Sequence, residues 1–110
     1  MLDKSLVAAS AEPLVLSLLS HGESYGYAII KEIHRRSQER IEWTDGMLYP
    51  VLHRLERRGL VKTTWRTSET GRKRKYYSLR AAGKKELASK REQWELVNTT
   101  LSDLWSPSNA

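Results

Sequence analysis

Residues 44–61 read TDGMLYPVLHRLERRGLV. Four large apolar side chains in this stretch recur at helical spacing: Leu48, Val51, Leu52 and Leu55. They form one apolar stripe, which predicts a helix with that face in a core. Thr44 or Asp45 can begin the helix, and Gly59 can end it. Pro50 cannot donate a hydrogen bond to the Gly46 carbonyl, so either the first turn is bent or the regular helix begins one turn later.

Two further helices are predicted before this one. The first begins near Ser10, a suitable N-cap, and ends at Gly22. The second begins at Ser24 and runs to about Gln38, with apolar residues at helical spacing. Residues 1–9 remain as an N-terminal segment outside the domain.

A change of period follows Gly59 and predicts a β-hairpin. Residues 60–66 and 73–79 alternate as strands do, and the residues between them favour a turn. An isolated hairpin is barely stable in water, so it must pack on the helices. We expect Trp65 to hold the hairpin against the body of the domain.

The last segment, about Ala81–Trp105, is predicted as one long helix. Its apolar residues approach a heptad spacing, interrupted by Lys90: Leu87, Trp94, Val97, Leu101 and Leu104. Such a helix is about 38 Å long at ~1.5 Å per residue, whereas a compact domain of this size has a radius of gyration of about 13 Å. The helix should therefore project and pair with a second chain. Residues 106–110 are expected to be a disordered tail.

Positive charge is concentrated in one segment. Arg54–Lys75 contains nine basic and two acidic residues, whereas the rest of the chain contains ten basic and eleven acidic ones. A localised positive field is typical of a surface that binds a polyanion, although a solvated charged face would have the same composition. The order helix, helix, turn, helix, basic hairpin predicts a mainly α fold with a small β-hairpin. We interpret residues 10–79 as a winged helix-turn-helix domain and residues 80–105 as a dimerisation helix.

Several classes of function are disfavoured by composition. The chain has no cysteine, and its three histidines are widely spaced, so we expect no metal site and no cofactor. No nucleophile stands beside a base in a recognisable motif, so we do not expect an enzyme. No apolar run is long enough to cross a membrane, and no secretory signal is evident. We expect a cytoplasmic protein associated with the nucleoid.

Three motifs carry a resemblance to a known family. Residues 46–61 resemble the third-helix signature of PadR-family transcriptional regulators. Trp65 followed by residues 71–79, GRKRKYYSL, resembles the wing of that family, and Gly26-Tyr27 with Ile29 resembles its second-helix motif. The similarity covers about residues 10–104. Arg80 departs from it, because a capping threonine is usual there.

The resemblance implies a homodimer that represses genes by binding double-stranded DNA. It implies a dimer interface formed by the last helix together with Leu14 and Leu18 of the first. Because the chain ends soon after the last helix, it resembles the short subgroup without a C-terminal helical domain. A small planar aromatic ligand is a further expected partner, and Trp94 is the candidate that would stack on it. Its heptad spacing favours the other role of Trp94, an anchor of the dimer seam.

The candidate DNA contacts lie on the second helix, the third helix and the wing: Tyr27, Lys31, Thr44, Gly46, Met47, Tyr49, Pro50, Arg54, Arg72, Lys73 and Arg74. Tyr49 matches the tyrosine of the family's recognition helix. Tyr27 is equally compatible with a core position, and Arg54 with an ion pair to an acidic neighbour.

Two other functions fit the sequence less well. A ligand-scavenging or protein-binding dimer could keep this fold without binding an operator, but the basic segment argues against it. RNA binding lacks a stacking platform in the sequence.

Overall fold

The computed structural model describes residues 2–107. These residues form α1 (Lys4–Leu19), β1 (Ser24–Tyr25), α2 (Gly26–Arg36), α3 (Asp45–Arg57), β2 (Val61–Thr67), β3 (Lys73–Leu79) and α4 (Ala81–Trp105). The three strands form one antiparallel sheet in the order β1-β3-β2. The expected fold, mainly α with a small β-hairpin, is confirmed.

Helix α1 begins at Lys4, so the predicted start at Ser10 is wrong. The Asp3 side chain caps the helix by accepting hydrogen bonds from the amides of Ser5 at 3.0 Å and Leu6 at 3.3 Å. The Ser10 hydroxyl instead donates to a backbone carbonyl of the preceding turn, in mid-helix. The boundary drawn after residue 9 therefore falls inside α1.

A short strand replaces the predicted first turn of the second helix. Ser24 and Tyr25 pair with Tyr77 and Tyr76 of β3, and α2 begins only at Gly26. This pairing is made with residues some fifty positions along the chain, so no local window of sequence could reveal it. Helix α2 also ends at Arg36, two residues before the predicted end.

Helix α3 agrees with the prediction at both ends. Pro50 lies within an uninterrupted helix. Gly46 and Pro50 are both exposed, so water can satisfy the carbonyl that Pro50 leaves without a donor.

The core lies where α1, α2, α3 and the root of the hairpin meet. The buried apolar residues are Ala11, Val15, Leu16, Leu19, Ile29, Ile33, Trp43, Leu48, Val51, Leu52, Leu55, Leu60, Val61, Tyr77 and Leu87. The whole predicted stripe of α3 is among them. Val61 and Tyr77 bring the base of the hairpin into this core. Burial raises the pKa of Tyr77 to about 12, with smaller contributions from Tyr49 and Glu56.

Arg58, directly after α3, connects three helices. Its guanidinium donates to Glu12 of α1 at 2.9 Å and to Glu86 of α4 at 3.0 Å. The hydrogen bond from Arg58 lowers the pKa of Glu86, and the same bond raises the pKa of Arg58. These contacts fix the end of α3 against both neighbouring helices.

Helix α4 projects from the body, as expected. Only Gly83 and Leu87, near its start, are buried, whereas residues 91–107 are all exposed. The radius of gyration is 16.2 Å and the longest extent is 63 Å, against about 13 Å for the radius of a compact domain. Leu87 requires a correction: it packs in the core of its own chain, so it does not belong to the exposed seam. Of the predicted disordered tail, residues 108–110 lie outside the described residues.

Candidate nucleic-acid interface

The outer face of α3 lies opposite its buried stripe. Helical periodicity places Gly46, Pro50, His53 and Arg57 on this face, and all four residues are exposed. Gly46 and Pro50 were among the candidate contacts, whereas Arg57 was not. The signal that could have identified Arg57 was its position directly opposite the apolar stripe.

Tyr49 flanks this outer face on the side of the wing. Its phenol ring lies against the backbone of Gly26, at the start of α2, where a side chain of any size would collide with the ring. The ring also lies 6.3 Å from the His53 ring, and 36% of Tyr49 remains exposed. Tyr49 is therefore a partly buried residue with an accessible edge, rather than a fully exposed one.

Met47 and Arg54 lie toward α1 instead. Together with Gly46 and Pro50 of the outer face they line a cleft of about 560 Å³ between α1 and α3. Arg54 Nε lies 3.6 Å from Glu12 of α1, so Arg54 has an acidic partner, but on α1 rather than near Glu56. The structure therefore divides the candidate residues of α3 between two sides of the helix.

The basic residues of the segment Arg54–Lys75 fall into two groups. The first group forms ion pairs within the chain: Arg54 and Arg58 with Glu12, Arg66 with Glu23, and Lys75 with Glu56. The second group has no ion-pair partner among residues 2–107: Arg57, Lys62, Arg72, Lys73 and Arg74. The second group therefore carries positive charge that no carboxylate within residues 2–107 offsets in an ion pair.

Arg74 is held by an aromatic ring rather than by an acid. Its guanidinium lies 4.4 Å from the centre of the Tyr25 ring, which packs edge-on against Tyr76. A cation over a ring face is attracted by the ring quadrupole. The arrangement orients Arg74 while leaving its charge uncompensated.

A groove of about 330 Å³ lies between the wing and the helices. Its lining residues are Tyr25, Gly26, Tyr27, Tyr49, Trp65, Arg72, Lys73, Arg74 and Lys75. Five of the candidate contacts therefore meet here: Tyr27, Tyr49, Arg72, Lys73 and Arg74. We name this site the wing groove.

Tyr27 lies at the α2 side of the wing groove, and Lys31 lies next to it, outside the lining of the groove. Tyr27 is 63% exposed, so the alternative of a core position is wrong. Lys31 Nζ lies 5.3 Å from the centre of the Tyr27 ring. Glu32, next to Lys31, is occupied by other partners: hydrogen bonds from Arg35 and then Arg36 lower its pKa to about 2.

Trp65 does not hold the wing against the body, contrary to expectation. It shares a strand face with the buried Val61, but 65% of Trp65 is exposed. The strand has passed the edge of the core by this position, because Val61 and Tyr77 already fill the contact at the base of the hairpin.

The exposed half of α4 carries an unpartnered apolar seam. Trp94, Val97, Leu101 and Leu104 lie on one side of the helix and are between 37% and 71% exposed. Leu14 and Leu18 of α1 are half-buried and pack against the core. No group of three metal-binding side chains occurs within residues 2–107. Nor is any helix in that range long and apolar enough to cross a membrane.

Comparison with known proteins matches residues 15–89, about two thirds of the chain, to the model of the "Transcriptional regulator PadR-like family". The chain belongs to this family. PadR-like proteins are DNA-binding transcriptional regulators, so this protein is a DNA-binding regulator and not an enzyme.

Two solved structures share this architecture. A transcriptional regulator from Clostridium thermocellum is 30% identical, with a TM-score of 0.85 over 96% of this chain and 100% of its own. A PadR-like regulator from Bacillus cereus is 27% identical, with a TM-score of 0.84 and the same coverage. This chain therefore consists of a winged-helix domain followed by a long helix.

Two curated relatives are similar to this chain in sequence. An uncharacterized protein of Lysinibacillus sphaericus is 28% identical over 88% of this chain and 89% of its own length. The transcriptional regulator YqjI of Escherichia coli is 33% identical over 76% of this chain, but the match spans only 39% of YqjI.

Proposed function

We propose that this PadR-like protein is a homodimeric repressor that binds an inverted-repeat operator and is released by a small planar aromatic ligand. The observation that carries the proposal is the wing groove, where unpaired cations stand beside the outer face of α3. A duplex bound there would accept α3 in its major groove, about 12 Å wide, while the wing contacts the flanking backbone.

The roles of individual residues follow from their charge and position. Arg72, Lys73 and Arg74 bind phosphate, since they form no ion pair with any residue from 2 to 107. Tyr27, Lys31 and Tyr49 contact the backbone from α2 and α3. Gly46 and Thr44, at the exposed start of α3, approach the base edges together with Met47 and Pro50. Arg54 contacts the DNA from the side of α3 that faces α1.

Dimerisation is supported by the exposed seam of α4. Trp94, Val97, Leu101 and Leu104 would each lose contact with water if a second α4 packed on them. Leu14 and Leu18 extend this surface onto α1. A two-fold dimer presents two α3 helices about one helical turn of DNA apart, roughly 34 Å, which requires an operator with inverted repeats.

Binding to a promoter fragment at several salt concentrations tests the proposal. Each phosphate neutralised contributes about −0.9 to the slope of log K against log salt. Each homodimer carries two copies of Arg72, so Arg72→Ala should weaken binding and reduce the magnitude of the slope by about two. Arg91→Ala, which removes an exposed charge from the projecting half of α4, is the matched control and should leave the slope unchanged.

Tyr49→Ala, combined with Arg72→Ala, distinguishes the regulator from a ligand-binding dimer without an operator. The regulator should lose DNA while remaining a dimer by analytical ultracentrifugation. If the double variant binds DNA as the wild type does, the DNA-binding roles of Tyr49 and Arg72 are wrong. If the wild type binds no promoter fragment, the proposed function itself is wrong.

The ligand is proposed from Trp94. In a dimer joined through α4, the two Trp94 rings would lie at the shared seam, where a planar molecule could stack on them. A panel of planar aromatic compounds should quench tryptophan fluorescence in the wild type and release the DNA fragment. Trp94→Phe should reduce both effects, and quenching that is equal in this variant would contradict the assignment.

A further inference from the structure

Trp65 is more exposed than any other large apolar side chain between α1 and the end of the wing, among residues 4–79. A buried tryptophan contributes a large apolar area to a fold. The chain makes little use of this area, since 65% of the residue is open to solvent although its strand neighbours Val61 and Tyr77 are in the core. The position is therefore free to contact another molecule.

The surroundings of Trp65 are cationic on both sides. On one side it lines the wing groove with Arg72–Lys75. On the other it lines a second cleft, of about 560 Å³, with Arg66, Thr67 and Lys73. No carboxylate of the described chain lines either cleft, although Glu23 pairs with Arg66 nearby. A molecule that follows both clefts must carry negative charge and must cross the indole ring.

The DNA duplex fits these requirements. Its phosphates match the flanking cations, and between phosphates its backbone presents deoxyribose, which is largely apolar. We propose that Trp65 packs on deoxyribose at the edge of the groove that the wing enters, and supplies the uncharged part of the wing's contact with DNA. This inference rests on the proposed orientation of α3 and the wing toward the duplex.

The proposal predicts that replacing Trp65 lowers the affinity for the operator without changing how that affinity depends on salt. Trp65→Ala should weaken operator binding about tenfold, the change expected when a total of about 55 Å² of apolar surface on the two wings of the dimer is no longer removed from water. The slope of log K against log salt should stay at the wild-type value, because no phosphate loses its partner. Arg72→Ala, measured alongside, should lower the slope.

Trp65→Phe is the second variant and keeps an aromatic ring. It should retain more affinity than Trp65→Ala, and both variants should unfold at the wild-type temperature, since most of the side chain is exposed. Tryptophan fluorescence gives a direct readout: DNA should change the emission of the wild type more than that of Trp65→Phe.

Two results would overturn the inference. The first is that Trp65→Ala binds the operator within twofold of the wild type while Arg72→Ala binds it more weakly. The proposed function would then hold, but Trp65 would have no role in DNA binding. The second is that Trp65→Ala lowers the salt slope, which would mean that it acts by positioning the cations. Failure of the wild type to bind any duplex would instead refute the proposed function.

Discussion

Gly83, in the first turn of α4, allows the long helix to lie directly on the wing. A methyl group at this position would overlap the backbone carbonyl oxygen of Leu60 and would lie 3.1 Å from Leu79 Cδ2. That carbonyl already accepts a hydrogen bond from the amide of Arg80 at 2.9 Å. Gly83→Ala must therefore push the start of α4 away from β2, and Leu87 with it.

Two opposing contributions determine how much Gly83→Ala changes the free energy of unfolding. Overpacking of this kind costs typically about 1–3 kcal/mol. Alanine is favoured over glycine in a helix by up to about 1 kcal/mol. We expect a net loss of about 1–2 kcal/mol in the free energy of unfolding, or a decrease in Tm of roughly 5–10 °C for a domain of this size.

Gly46→Ala provides the matched control. Gly46 is also in the first turn of a helix, but the atom nearest to an added methyl group is Thr44 Oγ1 at 3.7 Å, an ordinary contact. This variant should keep or raise the Tm, because only the helix preference changes. Thermal unfolding followed by circular dichroism, with all proteins at one concentration, measures both. A Tm for Gly83→Ala at or above the wild-type value would refute the steric argument.

Three further predictions concern the ion pairs, the seam and the buried phenol. Glu86→Gln should destabilise the protein by about 1 kcal/mol or less at neutral pH, since the Arg58–Glu86 ion pair is partly exposed. Arg58 lowers the pKa of Glu86 in the folded state. In urea unfolding, the difference in stability between the variant and the wild type should therefore vanish as the pH falls through that lowered pKa. Leu101→Glu should dissociate the proposed dimer in analytical ultracentrifugation, whereas Thr99→Glu, at an exposed position on the opposite side of α4, should not. Equal behaviour of the two variants would argue against the seam. Tyr77 has a pKa raised from 10.0 to about 12, so the stability it contributes is present below pH 10 and is lost as the pH rises toward 12. In urea unfolding, Tyr77→Phe should show a smaller loss over that interval, and identical pH profiles would contradict the assignment.

Much of the fold could be predicted from the sequence because its signals are local. The apolar stripe of α3 and its end at Gly59 depend on residues within four positions of one another, and the structure reproduces them. The hairpin and the length of α4 are equally local patterns. The high density of positive charge between Arg54 and Lys75 is also evident from the sequence alone.

The contacts that join distant segments could be known only from the tertiary structure. Strand β1 exists because β3 presents a free edge to Ser24 and Tyr25. Leu87 is buried because α4 packs on α1 and β3. Charge density alone could not tell Arg54, paired with Glu12 of α1, from Arg72, which has no partner within residues 2–107. Sequence determines which side chains are available; folding decides which of them are used within the chain, because burial and ion pairing depend on neighbours that are far apart in sequence.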